Sequence, residues 1–182
     1  MVEYLMDEVQ HKFRKEIIMS FKKRISALLM SIMVFSPITA SAEYMPVPKI
    51  DSSFKTYMDY RAITNKNSKQ YRLQESSYTH CNGIRVHQSG RYIIAIGTYY
   101  AEEVGEKLDI TLENGYTFHA IVGDIKQDRH TDPTNKYVPI NNSVLEFIVQ
   151  TEELPKIATK MGDVSYVDEN LQGKVVKIKA VN

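Results

Sequence analysis

The sequence predicts a mainly β domain, a small closed barrel with few helices. Three observations carry this. Alternating apolar runs dominate from Gly83 onward, Asn114-Gly115 stands between two such runs, and helical spacing is confined to short stretches. Several short strands within about 100 residues are the pattern of sandwiches and small barrels. The 182 residues are 43% hydrophobic and 25% charged, with 8 Gly, 6 Pro and a single Cys, which excludes a disordered, collagen-like or disulfide-dense chain. Six of the 23 basic and four of the 22 acidic residues fall in 1–42, so the remainder carries a net charge of −1. A near-neutral body excludes binding driven by phosphate neutralisation, and no nucleic-acid partner is expected.

The elements follow in chain order. Residues 25–40 are apolar and uncharged, Lys22, Lys23 and Arg24 precede them, and Ala40-Ser41-Ala42 follows. This is the build of a Sec-type signal peptide cleaved after Ala42, too short to span a bilayer, so membrane contact is expected only in transit. The acidic Asp7, Glu8 and Glu16 sit badly upstream of such a segment. Arg14-Lys15-Glu16 is encodable as a purine-rich ribosome-binding sequence just before Met19, which points to Met19 as the true start. A short amphipathic helix over the same residues is the other reading. Residues 43–51, with two prolines, read as a linker, and 52–182 as one barrel domain.

Within 52–78, Phe54, Tyr57, Met58 and Ile63 recur near helical spacing, which predicts one or two short helices capped at Ser52 or Ser53. Residues 83–100 read as strand, turn at Ser89-Gly90, strand. Leu108, Ile110 and Leu112 alternate up to Asn114-Gly115, and Tyr116, Phe118, Ala120 and Val122 alternate away, which predicts a hairpin with a type I′ turn. Residues 137–140 and 143–150 resume strand character, Pro155 opens a short helix, and Val175, Val176, Ile178 and Val181 mark a last strand.

Chemistry concentrates in 124–136. A strand ends at Gly123 and presents Asp124 at its tip, followed by Asp128, Arg129, His130, Asp132 and Asn135. Gly123 suits an unusual backbone conformation just before the acid. Desolvation at a strand end raises a carboxyl pKa and keeps it protonated, as a general acid must be. The same residues also describe a solvated, turn-rich loop. Glu146 interrupts the apolar run 144–149, on the face opposite Leu145 and Phe147. Two carboxylates from different strands suit a sugar linkage, and an edge-strand charge that discourages aggregation is the alternative. His119 and His130 with the three loop aspartates permit a metal reading, but without a recognised ligand spacing, and neither metal nor cofactor is expected. Tyr99-Tyr100 offers aromatic faces for a sugar or for core packing. Cys81, the lone thiol, beside His80, reads as structural or intermolecular rather than catalytic, because neighbours on a strand point to opposite faces.

Four segments carry a family resemblance: Ile94-Ala95-Ile96-Gly97-Thr98, Gly105-x-Lys107-x-x-Ile110, Gly115-Tyr116-x-Phe118-x-Ala120-x-x-Gly123-Asp124, and Val144-Leu145-Glu146-Phe147-Ile148. Over about residues 90–150 the chain resembles the three-Asp (3D) domain and its relatives in the double-psi β-barrel superfamily, among them lytic transglycosylases, rare lipoprotein A and expansins. Residues 54–74 and 123–132 resemble a branch of exported proteins of single-membrane bacteria. The resemblance implies a six-stranded double-psi barrel, a secreted or cell-wall location, peptidoglycan glycan strands as partner, and lytic-transglycosylase-like cleavage or, alternatively, glycan binding without catalysis. It implies Asp124 as catalytic acid, Glu146 in the place of a later motif aspartate, and Gly97-Thr98 as the pair shaping the groove. The candidate catalytic residues are therefore Asp124 and Glu146, and Tyr99, Lys126 and His130 join Gly97 and Thr98 as candidate substrate contacts. The family's Asp-Thr-Gly-Gly is here Asp124-Ile125-Lys126-Gln127.

Overall fold

The computed structural model describes Lys12, residues 14–19 and residues 44–181; residues 14–19 are helical. The apolar stretch 25–40 and the expected cleavage site lie outside the described residues. Among the described residues no helix is long and apolar enough to cross a membrane.

Nine strands among the described residues build one mixed sheet, so the chain is mainly β. They are β1 (Tyr44–Met45), β2 (Thr56–Asp59), β3 (Ser77–Thr79), β4 (Arg85–His87), β5 (Tyr92–Gly97), β6 (Lys107–Leu112), β7 (Thr117–Lys126), β8 (Leu145–Val149) and β9 (Val175–Val181). The pairing order is β1-β9-β6-β7-β5-β4-β3, with β8 also on β5 and β2 on β8. Two pairings are parallel, β5 with β7 and β2 with β8. Helix α1 (Lys69–Glu75) starts where the Ser68 hydroxyl accepts the Tyr71 N–H at 3.1 Å. Helix α2 (Lys156–Met161) follows Pro155 and stops at Gly162, whose φ of 66° is the left-handed C-terminal cap.

Several expectations are corrected. Residues 56–59 are strand β2 and not helix, because Thr56 to Asp59 pair with Glu146 to Val149. Phe54, Tyr57 and Met58 sit at spacings that suit either state, and the partner 90 residues away decides. Residues 43–51 are more than a linker, since Tyr44–Met45 pairs with β9. Residues 137–140 form a single bridge, Val138 to Ser143, and not a strand. The hairpin at Asn114-Gly115 is present, but only Gly115 has positive φ, 87°. Asn114 instead accepts the Tyr116 N–H at 2.9 Å through its side chain, and Gly115 N–H returns to Leu112 O, a type I turn with a glycine bulge.

Side chains alternate between two cores. Ile94, Ile96, Leu108, Ile110, Phe118, Leu145, Phe147 and Ile178 share the main one. Ile93, Ala95, Ile121 and Ile148 lie on the other face, covered by Leu73 of α1 with Met58 and Tyr60. Each fully buried aliphatic side chain contributes about 1.5–3 kcal/mol relative to exposure.

The backbone ladder is open, in contrast to the expected closed barrel: no strand pairing joins β2 to β9. Side chains cross that gap. The Ser52 hydroxyl accepts the Val175 N–H at 3.0 Å, and the Lys55 ammonium donates to the carbonyls of Gly173 (2.7 Å) and Ser53 (2.9 Å). Lys55 is 1% exposed. Burial pushes its pKa from 10.5 down to about 8, against the opposing pull of Asp163 and Asp51. Between those two values the unfolded chain holds a proton that the folded chain releases, so stability rises with pH across that window, by about 2.5 kcal/mol at pH 10. Lys55→Met removes this gain and leaves two carbonyls without their donor, but it also removes the cost of a proton in a dry seam. The expected outcome is a near-silent variant at pH 7 and a loss of about 2–3 kcal/mol at pH 10. Denaturant unfolding of both proteins at each pH reads this directly, and a gap that does not widen with pH refutes it.

Candidate active site

The site begins with one extra residue in β7. Ala120, Ile121 and Val122 pair with Tyr92, Ile93 and Ile94, but Ala95 pairs with Asp124, leaving Gly123 as a bulge. Unbroken register would set Asp124 opposite Ile96 and drive its carboxyl into the main core. The bulge turns it to the outer face, alongside Ala95. Strand β7 then continues to Lys126, so Asp124 lies within the strand and not at its tip. Gly123 is needed for a close approach and not for positive φ: an added Cβ meets Ile93 Cγ2 at 2.2 Å.

Across β7, β5 and β8 the register aligns Asp124, Ala95 and Glu146 in one row. Paired residues share a face, and strands stand about 4.8 Å apart, so the two carboxyl-bearing Cα atoms lie roughly 10 Å apart. Ala95, between them, contributes only a methyl. Lys126, two residues beyond Asp124 on the same face, reaches across β5 to place its Nζ 3.4 Å from Glu146 Oε2, its side chain only 8% exposed. Helix α1 covers the row from above, and Gln70 Nε2 donates to Asp124 Oδ1 at 3.4 Å. One turn on, Gln74 is buried; its Oε1 accepts from the buried Arg85 Nε at 3.2 Å, which fixes the amide with Nε2 unpartnered and near Gly123.

These environments divide the two acids. Burial raises the Asp124 pKa, and the Glu146 charge raises it further, against the Gln70 amide, the Ile125 N–H and Lys126. Glu146 has the Lys126 ammonium as its partner. A carboxyl with a raised pKa beside a lysine-paired carboxylate is a division of environments that suits acid–base chemistry. Glu146→Gln is expected to move the Asp124 titration to lower pH and to cost about 1–3 kcal/mol through the unpaired Lys126. Carboxyl-carbon NMR titration and thermal unfolding measure the two effects; an unmoved Asp124 titration removes the coupling.

The other sequence-derived candidates group differently. An added Cβ on Gly97 meets the Asn135 carbonyl oxygen at 2.1 Å, so the 127–136 loop lies directly over this glycine. The Thr98 hydroxyl donates to Asp128 Oδ1 at 2.8 Å. Tyr99 is exposed, with Lys136 Nζ 4.1 Å from its ring centre and Tyr100 edge-on at 5.1 Å. His130 is exposed on the single 3-10 turn Asp128–His130. Asp132 organises the loop. Burial raises its pKa, but bonds from the Thr134 hydroxyl and the N–H groups of Thr134, Lys136 and Tyr137 outweigh this and hold it at about 2. His119 pairs with Asp109 at 2.7 Å, and among the described residues no three His, Cys, Asp or Glu side chains gather as a metal site. Cys81 is exposed on a turn, where its Sγ lies 3.5 Å from His80 Nδ1; the strand geometry that would separate them does not apply there. A cleft of about 540 Å³ between Tyr60, Ile63 and Tyr71 lies on the flank of α1 and does not include Asp124. Sequence reasoning missed Gln70, Gln74 and Arg85. The spacing of four between the glutamines was visible, but not the bulge they face.

Comparison with family models, with curated proteins and with solved structures found no match to this chain.

Proposed function

We propose that the protein is an exported, lytic-transglycosylase-like enzyme that cleaves the peptidoglycan glycan backbone with Asp124 as acid and base. The observation that carries this is the half-buried Asp124, its pKa raised by burial, in one row with the lysine-paired Glu146. The 3D-domain resemblance supports the same assignment. So does the arrangement of β2 and β5 to β9, six strands whose open seam is bridged by Ser52 and Lys55, which we read as a double-psi-type barrel.

The chemistry needs one carboxyl. Protonated Asp124 gives its proton to the glycosidic oxygen as the C1–O bond breaks and the leaving sugar departs as an alcohol. The resulting carboxylate takes the proton of the muramyl C6 hydroxyl as that oxygen bonds to C1, closing a 1,6-anhydro ring without water. The acid is regenerated. Glu146 and Lys126 hold the field around Asp124, and Gln70 orients it.

A second reading, a glycan-binding module without catalysis, is favoured by the Asn135 carbonyl over Gly97, which occupies space a sugar would need. Incubation with purified sacculi separates the two. Release of 1,6-anhydromuropeptides supports cleavage, and co-sedimentation without soluble products selects the binding module.

A further inference from the structure

A second cleft, of about 260 Å³, opens where β5 and β7 begin, and Asp124 is not among its lining residues. Its walls are Tyr78 of β3, Tyr92 at the start of β5 and Tyr116 just before β7, with Phe118 beneath and His80 and His119 on the edges. Tyr92 packs edge-on against Phe118 at 6.0 Å and Phe147 at 5.9 Å, so the cleft floor is the main core itself. Tyr92 precedes Ala95 by three residues and points the other way, so its ring is set apart from the carboxyl row by roughly 10 Å along β5.

From this lining we infer that the cleft binds one pyranose ring of a neutral oligosaccharide. None of the lining residues is Lys, Arg, Asp or Glu, so the lining offers an ionic ligand no permanently charged side chain. A purely apolar ligand would strip water from phenols and imidazoles without replacing their hydrogen bonds. A pyranose with equatorial hydroxyls meets both demands, because its axial C–H faces pack on aromatic rings while its rim of hydroxyls bonds polar tips. His119 stands at the rim, on the strand face opposite Phe118. Its Nδ1 is engaged by Asp109 Oδ1 at 2.7 Å, which in the neutral ring leaves Nε2 as an acceptor. Tyr78, 51% exposed, is the outer aromatic face and the residue least tied to the core. The volume lies just under the range of drug-sized pockets, about 300 Å³ upward, and matches a single ring.

This site does not depend on the assignment of Asp124. Chitotetraose, a neutral β-linked probe, is titrated into the protein and followed by amide NMR. The expected result is shifts at Gly90, Thr117 and His119, with binding weakened at least about fivefold by Tyr78→Ala and retained by Asp124→Asn. Absence of shifts at these amides, shifts confined to the neighbourhood of Asp124, or affinity unchanged by Tyr78→Ala overturns the inference. Loss of sacculus cleavage with retained chitotetraose binding leaves it standing, so the two proposals fail separately.

Discussion

Under the proposed function, Asp124→Asn is expected to lower the release of anhydromuropeptides by about 10²–10⁴-fold, the typical contribution of a positioned acid–base group, while the protein melts at or above the wild-type temperature at pH 7. The two halves come from one cause. Burial raises the Asp124 pKa, so the folded chain holds its proton more tightly than the unfolded chain does. As pH rises from the unfolded value near 3.8, the unfolded chain ionises first and wild-type stability falls until the folded carboxyl ionises too. Asparagine has the same shape, accepts the Gln70 amide, and carries no charge to desolvate. The variant therefore gains on the wild type as pH rises through this window and stays ahead above it, and the two melt together below about pH 4. A functional acid held against its folding preference is a common trade between stability and activity. Full activity in Asp124→Asn rejects the assignment. A variant destabilised at pH 7 shows instead that the carboxylate is held by interactions stronger than its burial.

The local parts of this architecture were legible in the residues. Leu145 and Phe147 face the main core and Glu146 does not, as alternation requires. Asn114-Gly115 does turn the chain, though through Gly115 alone, because the Asn114 side chain caps the turn and removes the need for positive φ at both positions. What stayed hidden was set by partners distant in sequence. Residues 56–59 carry no signal that distinguishes a parallel strand beside β8 from a helical turn. Lys55, in a sequence a polar residue before that strand, proves to be a buried clasp of the seam. The carboxyl row is the sharpest case. Asp124 and Glu146 were each identifiable as candidates, but their alignment through Ala95, and the reach of Lys126 over β5, exist only because β7 carries one more residue than its neighbour. A bulge is a property of the pairing and not of either strand alone.

That dependence makes Gly123→Ala a strongly disruptive substitution for a single methyl. An added Cβ falls 2.2 Å from Ile93 Cγ2, far inside contact distance. Ile93 is fully buried between the sheet and α1, and its β-branched side chain has little rotamer freedom to withdraw. Either β7 moves away from β5 or the bulge relocates. The expected cost is about 2–3 kcal/mol, at the upper end for overpacking, or a fall in Tm of roughly 5–10 °C for a domain of this size. Under the proposed function, glycan cleavage is expected to fall with it, because Asp124 follows the bulge directly. A double-mutant cycle separates this from a general intolerance of β7 to alanine. Ile93→Ala alone opens a cavity and costs about 2–5 kcal/mol, but on that background Gly123→Ala adds almost nothing, since the clashing methyl is gone. The coupling should therefore be strongly non-additive, by about 2 kcal/mol. Additive losses would mean that the glycine serves β7 by some means other than making room for Ile93, and the account of how Asp124 reaches the outer face would have to be abandoned.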